Sequence, residues 1–264
     1  MRMNLNIHSL GFRSRRNKRS LLVAVARPSP RPGMPRGLFV AGTDTDVGKT
    51  SVAVAMLSEV AAAGHHCRAY KPVASGVTPG CSDPERLWRA TGCRGRLADV
   101  CPQVFRAAMA PDQAAKAEGR RVDERLLRQG VAPHSDGEFL VVEAAGGLFS
   151  PLGPNTLSAD LARDLGLPVI VVDAARIGLI GRTLGTLTAA RAVGLAVAAV
   201  VLSEVSPVAA GLSAAVDSPE EIARQSLADL GRRLPELPIG WLGHTAERIE
   251  PAINWLDLAA TGAG

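Results

Sequence analysis

Gly42-Thr43-Asp44-Thr45-Asp46-Val47-Gly48-Lys49-Thr50 decides the reading of this chain. It follows a continuous apolar run, Leu38-Phe39-Val40-Ala41, and opens an Ala-, Val- and Leu-rich stretch from Lys49 to Ala63 that stops at Gly64. A glycine-bearing loop between a buried strand and a helix is the setting a phosphate site requires. Backbone N–H groups at a helix start point outward unpaired, and the helix dipole favours negative charge there. Asp46, Val47 and Gly48 supply the cradle, Lys49 reaches the β/γ-phosphates, and the Thr50 hydroxyl can ligate Mg²⁺. Five residues separate Gly42 from Gly48. The common pattern has four, so the loop is a variant.

Outward from this loop, apolar strands alternate with helical stretches. Strands are expected at Leu38–Ala41, Cys67–Lys71, Phe139–Glu143, Pro168–Val172, Leu195–Leu202 and Leu237–Leu242. Helices are expected at Lys49–Ala63, Glu85–Ala90, Val122–Gln129, Ser158–Leu165 (with Ser158 as N-cap), Leu179–Val193 and Pro219–Arg233. The region Ala74–Gly119, with four prolines, reads as largely irregular. Continuously apolar strands separated by helices predict an α/β, doubly wound, mostly parallel sheet with helices on both faces. Neither a repeat nor a Ser/Gly linker divides residues 37–264, so one domain is expected there.

In an open parallel sheet, ligands bind beyond the carboxyl ends of the strands. The second strand ends in Tyr70-Lys71-Pro72-Val73-Ala74-Ser75-Gly76, which directs Lys71 and Ser75 to the crevice of Lys49. Read by position alone, Lys71 is as well explained as a solvated strand-end charge. Glu143 ends the third strand ahead of Ala144-Ala145-Gly146-Gly147. A carboxylate there is costly unless paired or bound to a cation, and small neighbours let a ligand approach. Thr50, Asp83 and Glu143 can together offer the hard oxygens Mg²⁺ prefers. Alone, Asp83 in Cys81-Ser82-Asp83-Pro84 reads as a helix cap.

Composition narrows the partner. The 264 residues carry a net charge of +5 and are 47% hydrophobic. No run of about 18 apolar residues could span a membrane. Residues 1–36 hold nine basic side chains and no acid, leaving 21 basic against 25 acidic residues in the remainder. The basic excess thus belongs to an Arg-, Ser- and Pro-rich tail, expected to be disordered, a transit peptide or the product of an upstream start before Met34. No nucleic acid or membrane partner is expected of the body. Four cysteines, none in a Cys-x-x-Cys pair, suit reduced thiols in a cytoplasmic protein. Lysine is rare: of Lys18, Lys49, Lys71 and Lys116, two sit at the inferred phosphate site.

These motifs together resemble the dethiobiotin synthetases. The matching segments are Gly42–Thr50, Tyr70–Gly76, Ser82-Asp83, Val142-Glu143 with Gly146-Gly147, and Ser150-Pro151-Leu152. The resemblance implies a P-loop fold, a cytoplasmic homodimer, Mg²⁺, and ATP as co-substrate. It implies carboxylation of 7,8-diaminononanoate by CO₂ and closure of a ureido ring through a carbamate and a carbamic-phosphoric anhydride. By motif, Lys71, Lys49 and Thr45 are the expected catalytic residues, and Thr50, Asp83 and Glu143 the metal ligands. Ser75 is the expected substrate contact. Nucleotide contacts fall on Asp46–Thr50, Asp83, Glu143, Ala144, Ala145, Gly146, Ser203 and Glu204. The family commonly has Gly at position 144, Asn-Asp at 203–204 and Asn-His at 181–182; here stand Ala144, Ser203-Glu204 and Gly181-Arg182. Ser203 lacks an amide's paired donor and acceptor. Arg182 reads equally as a substrate-carboxylate contact or a solvated charge. Two other ATP-using classes compete, a cobyrinate-synthase-like enzyme and a partition-type ATPase. The second expects a lysine where Asp44 stands.

Overall fold

The computed structural model describes residues 36–80, 82–134, 139–205 and 219–260. The tail's residues 1–35 and Cys81 lie outside the described residues. Six strands form one parallel sheet: β1 (Gly37–Gly42), β2 (Cys67–Tyr70), β3 (Phe139–Gly147), β6 (Val169–Ala174), β7 (Val197–Ser203) and β8 (Ile239–Leu242). Their spatial order is β2–β3–β1–β6–β7–β8. A separate antiparallel pair, β4 (Pro151–Gly153) and β5 (Thr156–Leu157), follows β3. The helices are α1 (Lys49–Ala62), α2 (Asp83–Ala90), α3 (Leu97–Val100), α4 (Pro111–Ala117), α5 (Glu124–Gln129), α6 (Ser158–Leu165), α7 (Leu179–Ala192), α8 (Pro219–Arg233) and α9 (Trp255–Ala260).

The expected doubly wound sheet is present, and its strands explain why. Along β1, Leu38 and Val40 enter one core while Phe39 and Ala41 enter the other, and all four are fully buried. The same division separates Leu140 and Val142 from Val141 in β3, and Val171 from Ile170 and Val172 in β6. A period of two with both faces apolar is possible only under cover on both sides. Burying each large side chain contributes about 1.5–3 kcal/mol, so the central strands are the most strongly held part of the chain.

β1 has β3 on one side and β6 on the other. The sheet therefore reverses its winding at β1, and the crevice opens beyond its carboxyl end. Arg36 belongs to the strand register, because its carbonyl accepts the Leu140 N–H at 2.9 Å.

Several local expectations are corrected. Leu157, not Ser158, is the N-cap of α6; its N–H donates to Asp160 at 3.0 Å. Ser158 is the first helical residue, and its hydroxyl donates to the Ala145 carbonyl at 3.2 Å. Asp83 is likewise no cap. Ser82 holds that position, with its N–H bonded to Glu85 at 2.8 Å, and Asp83 is left to face the sheet. The region read as irregular contains α3 and α4.

Candidate functional site

The loop between β1 and α1 ends on Gly48, which caps α1 at φ 88°. An added Cβ would stand 2.2 Å from the Ser203 hydroxyl. Glycine is thus required twice, by conformation and by the close approach of β7. Asp46 also takes a positive φ, 52°, a conformation that Asp tolerates better than most residues. Lys49 is 7% exposed and donates from Nζ to the Asp44 carbonyl at 2.9 Å. Burial lowers its pKa, with Glu143 opposing and Lys71 reinforcing the fall. Thr45 is exposed, and its N–H donates to the Asp44 carboxylate at 2.7 Å.

Lys71 is not a solvated charge. It directly follows β2, is 4% exposed, and its N–H is held by the Val100 carbonyl at 2.7 Å. Its ammonium pairs with Asp83 Oδ2 at 2.9 Å and with Glu143 Oε1. Burial alone would lower its pKa. Glu143 and then Asp83 outweigh that effect and hold it above its ordinary value. Burial likewise pushes Asp83 upward, and Lys71 reverses the direction, keeping the carboxyl below its usual range.

Glu143 is fully buried and accepts the Thr50 hydroxyl at 2.8 Å through Oε1. Its other oxygen, Oε2, is buried with no hydrogen-bond partner among the described residues. β3 runs on to Gly147, so Glu143 lies within the strand and not at its end as expected; its carboxylate gathers Thr50 and Lys71, with Asp83 joined through Lys71, and keeps one oxygen to spare. No group of three His, Cys, Asp or Glu side chains forms a metal cage among the described residues. Mg²⁺ takes few protein carboxylates and completes its shell with water and phosphate. Thr50, Asp83 and Glu143 are hard oxygen donors, so they fit such an ion.

A groove of about 1300 Å³ runs from this cluster along α1. Asp46, Gly48, Lys49, Thr50, Asp83 and Glu143 line one end, and Ser203 and Glu204 lie further along. Residues 243–250 form the opposite wall. Glu204 accepts the His244 N–H at 3.0 Å, so it shapes that wall. Glu59 holds the same wall from α1: its carboxylate accepts the Ile249 N–H at 2.8 Å and the Trp255 indole N–H at 2.6 Å. Val47, Ala144, Ala145, Gly146, Thr45 and Ser75 do not line this groove. Val47 and Ala144 are fully buried, and Ser75 sits half-buried on the loop after β2. Ala144 lacks the positive φ that would demand glycine, so its replacement of the family's Gly costs nothing here.

Arg182 is not a solvated charge. Its Nε donates to Asp173 at 3.1 Å, and its two Nη atoms donate to the Ile177 and Ala174 carbonyls. Asp173, fully buried at the end of β6, also accepts Thr43 at 2.6 Å and Thr183 at 3.1 Å. This hub ties the phosphate loop to β6 and α7. The sequence reading missed it, as it missed Glu59.

A family profile described as an AAA domain matches residues 36–238. An ATP-dependent dethiobiotin synthetase of Anaeromyxobacter sp. (strain K) is 46% identical over 174 residues, covering 65% of this chain and 78% of that protein. The chain belongs to the dethiobiotin synthetase family. Further synthetases of that name include one from Caulobacter vibrioides, 41% identical over 64% of this chain and 80% of its own length. The Yersinia pestis bv. Antiqua synthetase is 36% identical over 66% of this chain and 75% of its own. Among the described residues, no helix is long and apolar enough to cross a membrane.

Proposed function

We propose that this chain catalyses the ATP- and Mg²⁺-dependent carboxylation and ring closure of 7,8-diaminononanoate with CO₂ to dethiobiotin, a step of biotin biosynthesis. The observation that carries the reading is Lys71, buried between Glu143 and Asp83; those two carboxylates line the phosphate-loop end of the groove, and Lys71 lies behind them. Family membership supports the overall reaction. The cluster supports its division into carbamate formation, phosphorylation and ring closure.

Each residue has a stated task. One substrate amine adds to CO₂ and loses a proton, giving a carbamate. The Lys71 ammonium, kept charged by its two carboxylates, neutralises the carbamate oxygens and holds them towards the γ-phosphate. Lys49 and the N–H groups at the start of α1 hold the β- and γ-phosphates, with Thr45 and Asp46 at the reacting end. A carbamate oxygen attacks the γ-phosphorus and ADP leaves. The second amine then attacks the carbonyl carbon of the resulting carbamic-phosphoric anhydride and expels phosphate, closing the ureido ring. Thr50, Asp83 and Glu143 would hold Mg²⁺, which would supply neutralisation of phosphate charge. Ser75, beyond Lys71, faces the substrate side. Homodimeric assembly and a cytoplasmic location complete the reading.

The test is direct. The purified chain with diaminononanoate, bicarbonate, Mg²⁺ and ATP yields a product with the mass of dethiobiotin, and chelation of Mg²⁺ abolishes it. ATP hydrolysis without a ureido product overturns the reading.

Base selection is expected to be loose. Ser203 is 2% exposed beside Gly48, and its hydroxyl lacks the paired donor and acceptor of an amide. Sites that hydrogen-bond a substrate group on both sides discriminate far more strongly than sites that do not. Replacing ATP with GTP or CTP therefore changes kcat/KM by less than about tenfold. A spread of a hundredfold or more would show that another residue reads the base.

A further inference from the structure

Arg86 projects from α2 one turn beyond Asp83, on the same face of the helix. It lines the groove together with Asp46, Gly48, Lys49 and Thr50. Its Nη2 donates to the Ser51 hydroxyl at 3.0 Å, one residue past Thr50 in the first turn of α1. Arg86 is half-buried; among the described residues its hydrogen-bond partner is a neutral hydroxyl, and its charge also acts on Asp83 one turn away without forming a close ion pair.

Charge at this end of the groove makes that placement informative. Lys71, paired with Glu143 and Asp83, is committed to the carbamate and the transferring phosphoryl and not to the α- and β-phosphates. A triphosphate carries more negative charge than one Mg²⁺ and Lys49 neutralise, and phosphoryl transfer depends on completing that neutralisation. Arginine presents five donors in a planar fork suited to phosphate oxygens. With one donor anchored on Ser51, the others remain to face the groove beside the positive end of α1.

We propose that Arg86 is a polyphosphate-binding residue, its guanidinium taking a non-bridging α- or β-phosphate oxygen alongside Ser51. The inference rests on the groove being the nucleotide site and adds to it a cation from α2. The alternative role is structural, a strut joining α2 to α1.

Calorimetric binding of MgATP, ADP and adenosine to the full-length wild type, Arg86→Ala and Arg86→Gln separates the two. Gln keeps a donor for Ser51 but carries no charge. Both variants are expected to weaken MgATP and ADP about tenfold or more while leaving adenosine affinity unchanged, the size of a lost charge-assisted hydrogen bond. Arg86→Lys recovers part of the loss. ADP affinity equal to wild type in Arg86→Ala overturns the proposal. So does rescue by Gln, or an equal loss for adenosine, since each marks a strut. If the wild type binds none of the three ligands, the nucleotide reading of the groove falls and Arg86 with it. If the wild type binds and Arg86→Ala binds as tightly, only Arg86 falls.

Discussion

Lys71→Ala lowers kcat by about 10²–10³-fold and changes MgATP affinity by less than about threefold. The asymmetry comes from where charge develops. Lys49 and the start of α1 hold the nucleotide in the ground state. Lys71 faces the carbamate and the transferring phosphoryl, where negative charge concentrates as the reaction proceeds. Removing it costs little in binding and much in turnover. The variant also leaves Glu143, fully buried, without its cation. An unpaired carboxylate in that setting is costly, so the variant has a lower melting temperature without ligand. Lys71→Arg does not rescue turnover, because a planar fork cannot take the place of a compact ammonium between two carboxylates. Full activity in Lys71→Ala would remove this residue from the mechanism.

Glu143→Ala is expected to harm both stability and activity. It strips a buried ammonium of one of its two partners and Thr50 of its acceptor. Breaking a buried pair on one side costs about 3–5 kcal/mol, and Asp83 remains, so the lower end applies. For a domain of this size that is a fall in melting temperature of roughly 6–12 °C. Glu143→Gln keeps the volume and a carbonyl for Thr50 and recovers part of the stability. It does not recover Mg²⁺-dependent turnover, since a hard anionic ligand is lost. A thermal melt read beside the product assay tests both halves. Full turnover in Glu143→Gln would exclude Glu143 as a metal ligand.

The central strands were legible because both their faces are apolar, which leaves little else for Leu38–Ala41 or Phe139–Val142 to be. The phosphate loop was legible because Gly48, Lys49 and Thr50 are local, and chemistry dictates their spacing. The missing parts needed information from elsewhere in the chain. α4 begins at Pro111, a favoured first helical residue, but the crowd of prolines around it suggested irregular backbone. Asp173 carries the same signal as Glu143, a carboxylate at the end of a continuous apolar run. Its partners Thr43, Arg182 and Thr183 come from three places, and no spacing rule joins them. The anchoring of Arg182 was hidden for the same reason, since its acceptor was the overlooked Asp173. Glu59 is 190 and 196 residues distant from the groups it bonds, so nothing local could reveal it.

That distant bond gives the chain a built-in optical probe. Trp255 is one of only three tryptophans, is 2% exposed, and ends its indole N–H on Glu59 of the helix whose first turn carries Lys49 and Thr50. Any ligand that shifts α1 or the wall at Ile249 alters the hydrogen bond and dielectric around this one indole. With Trp88 and Trp241 replaced by Phe, its emission is expected to follow groove occupancy without a label, so that a titration read at this tryptophan becomes a titration of the phosphate site.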